Sequence, residues 1–391
     1  MKKIKVTPDV YYVGVNDRKK HLFENNWPLP NGVAYNSYIV KAEKNALIDT
    51  LEFGSKDDYL DVINDILEGK KLDYLIVNHM EPDHSSMVGI LLKFYPEIKI
   101  VGNNKTFKML EAYYKVTANN FHEVKDGEIL DLGGKKLQFF LTPWVHWPET
   151  MMTYDPDEKI LFSCDAFGTF GTLDGAIFDD EINFSFYEDE ARRYFSNIVG
   201  KYSNMVQKAL AKLSGTEIKI VCPSHGPVWR SNPSVIISLY DRLSRHEGED
   251  GVVIAFASMY GNTEKMADYV ARMLAEDGIK NIRIFDVSKT HASFILSEIW
   301  KYNRVILGAC AYNATIHPMM EHLCNELEII NPKHKKLGLF GSFSWSGGGV
   351  KYLKTFADKM EWSLVSEPVE LLGAPDPVKM EKFDELVKNI L

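Results

Sequence analysis

A chain of 391 residues with a net charge of −9, 45% hydrophobic and 25% charged, is long enough for two ordinary globular cores and too acidic to favour a nucleic-acid partner. The basic start Met1-Lys2-Lys3-Ile4-Lys5-Val6-Thr7-Pro8 lacks the apolar core of a signal peptide, and no segment approaches the roughly 18 apolar residues of a membrane span, so a cytoplasmic protein is expected. The four cysteines, Cys164, Cys222, Cys310 and Cys324, include no C-x-x-C pair and imply no disulfide framework.

The first informative element is the apolar run Tyr74-Leu75-Ile76-Val77, which predicts a buried strand. It leads into His79-Met80-Glu81-Pro82-Asp83-His84, four potential metal ligands within six residues. A chain leaving a strand in extended form points alternate side chains to one side, so His79, Glu81 and Asp83 converge while His84 points elsewhere. Two imidazoles and two carboxylates exceed what one ion usually takes from one segment, and a dinuclear site is expected. Taken alone, the hexapeptide also reads as a polar loop capping a helix that begins near Ser85.

The pattern recurs. Leu137-Gln138-Phe139-Phe140-Leu141 leads to His146, Lys159-Ile160-Leu161-Phe162-Ser163-Cys164 ends at Asp165, and Glu217 to Ser224 ends at His225. His146 or His225 singly reads as a hydrogen-bonded histidine near the core. Together, seven ligand-type residues after four strands predict a metal site on one rim of a layered α/β domain. A carboxylate at Glu81 hardens such a site and favours iron or manganese over zinc. Cys164 and Cys222 read as small buried apolar residues, with Cys164 facing opposite to Asp165 in an extended strand. Tyr194, in Arg192-Arg193-Tyr194-Phe195, reads by pattern as a core aromatic of an amphipathic helix.

After the polar stretch Arg245 to Gly251 the pattern changes to strand and helix alternation, which places a domain boundary at 249/250. Strands are predicted at Val252–Phe256, Ile282–Val287, Arg304–Gly308, Lys336–Gly341 and Leu364–Ser366, with helices such as Glu264 to Leu274 and Met319 to Leu327 between them. Such alternation implies a parallel sheet covered on both faces, with ligands beyond the carboxyl ends of its strands. The first end carries Ser258-Met259-Tyr260-Gly261-Asn262-Thr263, whose hydroxyls, backbone N–H groups and helix N-terminus suit a phosphate dianion. It has no Walker lysine, which argues against ATP and for a flavin monophosphate. Two later loops, Gly308-Ala309-Cys310-Ala311-Tyr312-Asn313 and Gly341-Ser342-Phe343-Ser344-Trp345-Ser346-Gly347-Gly348, offer Tyr312 and Trp345 for stacking on an isoalloxazine and Asn313 with backbone groups for its polar edge.

The order H-x-E-x-D-H, His146, Asp165, His225 resembles the metallo-β-lactamase fold. Glu81, where hydrolases of that fold usually carry histidine, resembles the flavodiiron proteins in particular. The two later loops are similar to the flavin loops of flavodoxins fused to flavodiiron proteins, except that Ala309-Cys310-Ala311 stands where Ser-Pro-Thr is usual. With both halves matching in order, the resemblance covers nearly all of the chain, which is identified as a member of the two-domain flavodiiron family. It implies a metallo-β-lactamase-like αββα sandwich over 1–249 and a flavodoxin-like, doubly wound, five-stranded parallel sheet over 250–391. His79, Glu81 and His146 would hold one iron, Asp83, His84 and His225 the other, and Asp165 would bridge them; the counterpart of His84 does not coordinate metal in every member. FMN would pass electrons to the irons, which reduce O2 to water or NO to N2O. Tyr194 and the segment His21-Leu22-Phe23-Glu24 match family residues near the diiron pocket, whereas simple packing is the expected role of Trp147. A head-to-tail homodimer, or a dimer of such dimers, is implied.

No G-x-G-x-x-G fingerprint is found and, with no C-x-x-C pair, no fused rubredoxin is indicated, so the electrons are expected from a separate carrier such as rubredoxin. Lys333-His334-Lys335-Lys336 either steers such an acidic carrier or is a solvated turn before a strand. Two rival readings share the fold: a zinc hydrolase of thioesters or lactams, and a flavodoxin-type electron carrier with a vestigial metal site. Glu81 and the flavin half oppose the first, since zinc accepts no electrons, and the full ligand set opposes the second. No residue excludes O2 or NO, and family grounds favour O2 slightly.

Overall fold

The computed structural model describes residues 3–391, the side chains of residues 55–57 and 118 excepted; Met1-Lys2 of the basic start lie outside them. The chain divides into two compact units, Met1–Phe195 with Tyr202–Asp241, and Ser196–Lys201 with Arg242–Leu391.

In the first unit, Ile4–Lys5, Val10–Asp17, Val33–Val40, Ala46–Ile48, Tyr74–Ile76, Lys99–Gly102 and Phe121–Glu123 form one sheet in that spatial order. Ile129–Asp131, Lys136–Leu141, Met151–Asp155, Ile160–Cys164 and Ile220–Pro223 form a second. Alternation decides which faces meet: Leu137 and Phe139 are fully buried while Gln138 and Phe140, which follow each of them, are not. Tyr12, Tyr38, Ile48 and Val101 of the first sheet join Leu137, Phe139, Met151 and Phe162 of the second in one apolar core, so the sheets pack as a sandwich. Both sheets begin antiparallel and end parallel. Ile160–Cys164 runs parallel to Ile220–Pro223, and Tyr74–Ile76 runs parallel to both of its neighbours. Parallel pairing sets carboxyl ends side by side, and this brings Asp165 next to the turn that carries His225.

The second unit is a parallel sheet in the spatial order Ile282–Asp286, Glu249–Ala257, Tyr302–Tyr312, Lys336–Phe343, with a fifth position beyond. Counted along the chain this is the order 2-1-3-4-5 of a flavodoxin. Val252 to Ala255 are buried without a break because helices cover both faces, among them Asn262–Glu276 and Pro318–Ile330. Two details differ from the predicted elements. The fifth strand is split into Ser363–Leu364 and Val369–Leu372, which pair with different stretches of Lys336–Phe343. Pro368 lies in the gap and has no N–H to donate to a ladder. The third strand runs on to Tyr312 and turns back through Asn313-Ala314 to pair with Thr315–Ile316.

Candidate metal centre and flavin pocket

Strand Tyr74–Ile76 delivers His79 to the rim, and Pro82 then opens a one-turn helix, Pro82–Ser85. Proline at the first helical position is preorganised for that turn, so Asp83 and His84 leave the chain helically and the alternation expected of an extended hexapeptide stops at Glu81. The side chains gather in two groups, His79, Glu81, His146 and Asp165, and Asp83, His84 and His225; within each group the potential ligand atoms lie within 4.8 Å of one another. All seven residues are buried.

Asp165 faces both groups with different oxygens. Its Oδ2 lies 3.3 Å from His79 Nε2 and 3.2 Å from His146 Nε2, while its Oδ1 lies 2.9 Å from His84 Nε2 and 3.4 Å from His225 Nε2. Glu81 Oε2 completes the first group at 3.4 Å from His79 Nε2 and 3.1 Å from His146 Nε2. Asp83 completes the second, 3.4 Å from both His84 Nε2 and His225 Nε2. Despite these separations, His79 Nε2, His84 Nε2, His225 Nε2 and both oxygens of Asp83 and Asp165 have no hydrogen bond, because none meets a partner at a usable angle. Buried polar atoms are rarely left so, and lone pairs converging on two common points are the donor set of two cations.

The electrostatics agree. Burial opposes the imidazolium form, yet the carboxylates outweigh it: Asp165 and Glu81 hold His146 up at about 9, and Asp165 and Asp83 hold His225 up at about 10. Burial would likewise raise Asp165 and Glu81, but the surrounding imidazoles hold both well below the usual carboxylate range. Without a cation the cluster retains protons in its place.

Each end histidine is turned by a partner behind it. The His79 Nδ1–H donates to Glu149 Oε1 at 2.8 Å, and Met80 N donates to the same oxygen at 2.9 Å. The His225 Nδ1–H donates to the Ala34 carbonyl at 2.8 Å. Both Nε2 lone pairs therefore face the centre. Glu149 was not among the residues predicted from the sequence; its place three residues after His146, in Pro148-Glu149-Thr150, was the available signal. Cys164 corrects the sequence expectation: at φ 54° it breaks strand alternation, and its sulfur reaches the His84 and Asp165 side. Burial pushes its thiol well up, so it stays neutral there.

An aromatic wall encloses the second group. The rings of Phe23, Tyr35 and Tyr194 stand 5.6, 5.5 and 5.5 Å from the His225 ring. Tyr194 is fully buried, its hydroxyl has no hydrogen-bond partner, and burial with the Asp165 charge holds it protonated. Trp147 packs edge-on to His79 at 5.2 Å.

In the second unit a cavity of about 250 Å³ opens beyond the carboxyl ends of the strands. Among the predicted residues, Ser258, Met259, Tyr260, Asn262, Thr263, Ala311, Tyr312, Asn313 and Ser342 to Ser346 line it; Gly261 and Gly347 do not, and Cys310, Ala314 and Gly373 do. The Ser258 hydroxyl accepts from Gly261 N at 3.0 Å, and Gly261, at φ 85°, turns the chain into helix Asn262–Glu276. Thr263 and Ser342 share a hydroxyl bond of 3.0 Å at the cavity floor. Exposed Tyr260 and Trp345 stand at the rim as free aromatic faces. A phosphate cradle beside a slot lined by Tyr260, Tyr312, Phe343 and Trp345 fits FMN. Lys335, by contrast, is no part of a solvated patch: it is buried and donates to the Trp300 and Tyr302 carbonyls at 3.2 and 2.7 Å, where the helix Ala292–Lys301 ends.

Fold and site define a metal-binding domain of metallo-β-lactamase type joined to a flavodoxin. Comparison with known proteins agrees: residues 33–226 match the model of the ODP family beta lactamase, and residues 254–385 that of flavodoxin. The chain is 32% identical over 368 residues to a nitric oxide reductase of Moorella thermoacetica, covering 93% of this chain and 92% of that one. It is 32% identical over 357 residues to the anaerobic nitric oxide reductase flavorubredoxin of Escherichia coli O1:K1 / APEC, covering 90% and 74%. The structure of rubredoxin oxygen:oxidoreductase from Desulfovibrio gigas superposes with a TM-score of 0.96 at 30% identity, over 100% of this chain and 98% of that one. A flavo di-iron protein from Thermotoga maritima superposes with a TM-score of 0.92 at 28% identity, over 100% and 97%. The chain belongs to the flavodiiron family.

Proposed function

We propose that this chain is a flavodiiron reductase, which takes electrons from a carrier protein through FMN to two irons and reduces O2 to water or NO to N2O. The observation that carries the reading is the buried seven-residue cluster in which the two oxygens of Asp165 face different ligand groups, on the same chain as a flavin cleft. His79, Glu81 and His146 would hold one iron and Asp83, His84 and His225 the other, with Asp165 facing both groups. When bound, the flavin and the irons supply one-electron transfer and a store of several electrons. The chain supplies the rest. Glu149 and the Ala34 carbonyl fix which nitrogen each end histidine presents, and Phe23, Tyr35 and Tyr194 keep bulk water from the second group. Tyr194 keeps its proton and offers the hydroxyl as a hydrogen-bond donor to the small substrate.

The metal half is assigned to residues 1–249 and the flavin half to 250–391. FMN binds along Ser258 to Thr263, Ala311 to Asn313 and Ser342 to Gly347. A rubredoxin-type donor, a head-to-tail homodimer and a cytoplasmic location complete the reading; the likeness to rubredoxin oxygen:oxidoreductase supports the first, and four free buried cysteines suit a reducing compartment.

Rapid anaerobic mixing of the fully reduced protein with O2 or with NO tests the proposal. Fast flavin reoxidation with repeated turnover is expected for at least one oxidant. Slow, single reoxidation by both would return the chain to an electron carrier. Two zinc ions with no flavin absorbance in protein purified without added metal would return it to a hydrolase.

A further inference from the structure

We propose that Asn36 is the positioning residue for His225, and that it thereby decides whether the chain holds two metal ions or one. The inference rests on the reading of Asp83, His84 and His225 as metal ligands.

His225 has little local support. It lies in the turn that leaves strand Ile220–Pro223, and no helix follows until Ser234. Ser224 N donates to the Cys164 carbonyl at 2.8 Å, and the carbonyls on either side of His225 are held by strand Val33–Val40, about 190 residues earlier in the chain. The Asn36 Nδ2 group donates to the Pro223 carbonyl at 2.9 Å and to the Gly226 carbonyl at 2.8 Å, so one side-chain amide spans the residues on either side of Ser224-His225. Its Oδ1 accepts from the Tyr12 hydroxyl at 2.9 Å. Both N–H groups and the oxygen are thereby used, which fixes the orientation of the amide. The backbone repeats the clamp: Asn36 N donates to the Ser224 carbonyl at 2.8 Å, and the Tyr38 hydroxyl donates to the Pro223 carbonyl at 2.8 Å. With the turn held so, His225 Nδ1 meets the Ala34 carbonyl and its Nε2 faces Asp165 and Asp83.

Asn36 is 1% exposed, so water cannot take over these bonds when the amide is lost. Two carbonyls would then be left in an apolar setting, and the turn would move to satisfy them. The first ligand group is oriented elsewhere, His79 being turned by Glu149, and shares only Asp165 with the second. Loss of Asn36 should therefore act on one site and spare the other.

The test uses the full chain with FMN retained, stripped of metal by a chelator and titrated with Co(II) alone. The wild type is expected to take up two ions. In Asn36→Leu the affinity for one ion should fall by about 10- to 100-fold while the other is kept. Tyr12→Phe, which removes only the bond that fixes the amide, should weaken the same ion by less and decides the matter should the first variant not fold. A merely structural role would lower the melting temperature and weaken both ions together, and that result in either variant would overturn the assignment. So would two ions bound at wild-type affinity. A wild type that takes up no metal would instead strike down the reading of the centre, before any variant is made.

Discussion

Metal loading should release protons, and the number follows from the centre. His146 at about 9 and His225 at about 10 both carry protons at pH 7.5 in the metal-free chain, held there by Asp165, Glu81 and Asp83. A metal ion binds only the neutral imidazole, so filling both sites must expel at least these two protons. The affinity for the pair should then rise by at least about 100-fold per pH unit up to about pH 9, one factor of ten for each of these two protons, and more steeply where His79 and His84, also held above the ordinary imidazole value, release theirs. The metal-free chain should show the opposite trend. An imidazole raised above its ordinary 6.5 stabilises the fold fully below 6.5 and loses that contribution as the pH passes its folded value, so melting temperatures should fall between pH 7 and 10. Asp165 and Glu81, held down, contribute above the usual carboxylate range and lose it on acidification, which closes the window from the acid side. Isothermal titration of Co(II) at pH 7.5 in two buffers of different ionisation heat counts the protons. Release of fewer than one per loaded chain would refute the assignment of these groups.

Three substitutions probe the supports. Glu149→Gln keeps the volume and one acceptor oxygen but removes the charge behind His79; the difference between a charged and a neutral hydrogen bond, about 1 to 1.5 kcal/mol, should weaken one metal ion about 10-fold in a chelator competition assay. Gly226→Ala places a carbon 2.0 Å from the Thr169 methyl on a residue at φ +78°, and should cost about 3 kcal/mol in denaturant unfolding. Ala314→Gly acts the other way: residues 313 and 314 form the two-residue turn between Tyr312 and Thr315, both at positive φ, and relief at Ala314 should stabilise the chain by up to about 1 kcal/mol. A loss of stability in that variant would show that the turn is held by contacts rather than strained by its backbone.

The strands of both halves were legible because burial on one face leaves alternation and burial on two leaves an apolar run, as at Lys136–Leu141 and Val252–Ala255. So were the ligand-type residues, since carboxyl ends of strands are where such groups collect. What the sequence hid was orientation. Cys164 takes a left-handed φ that no propensity announces for cysteine, and Asp83 and His84 sit on a helical turn whose one signal was Pro82. Glu149 and Asn36 were invisible for a different reason: their meaning lies wholly in partners 70 and about 190 residues away, and an isolated Glu or Asn on a line of text has no partner.

Four separate stretches of chain, around residues 79–84, 146, 165 and 225, meet at a single pair of points. Two bound cations would fasten all four at once, so that no one of them opens without releasing metal. Loading would thus add a second fastening to loops already bonded in pairs, His79 with Glu149 and Cys164 with Ser224, and protease sensitivity there should report the metal content of the protein as directly as elemental assay does.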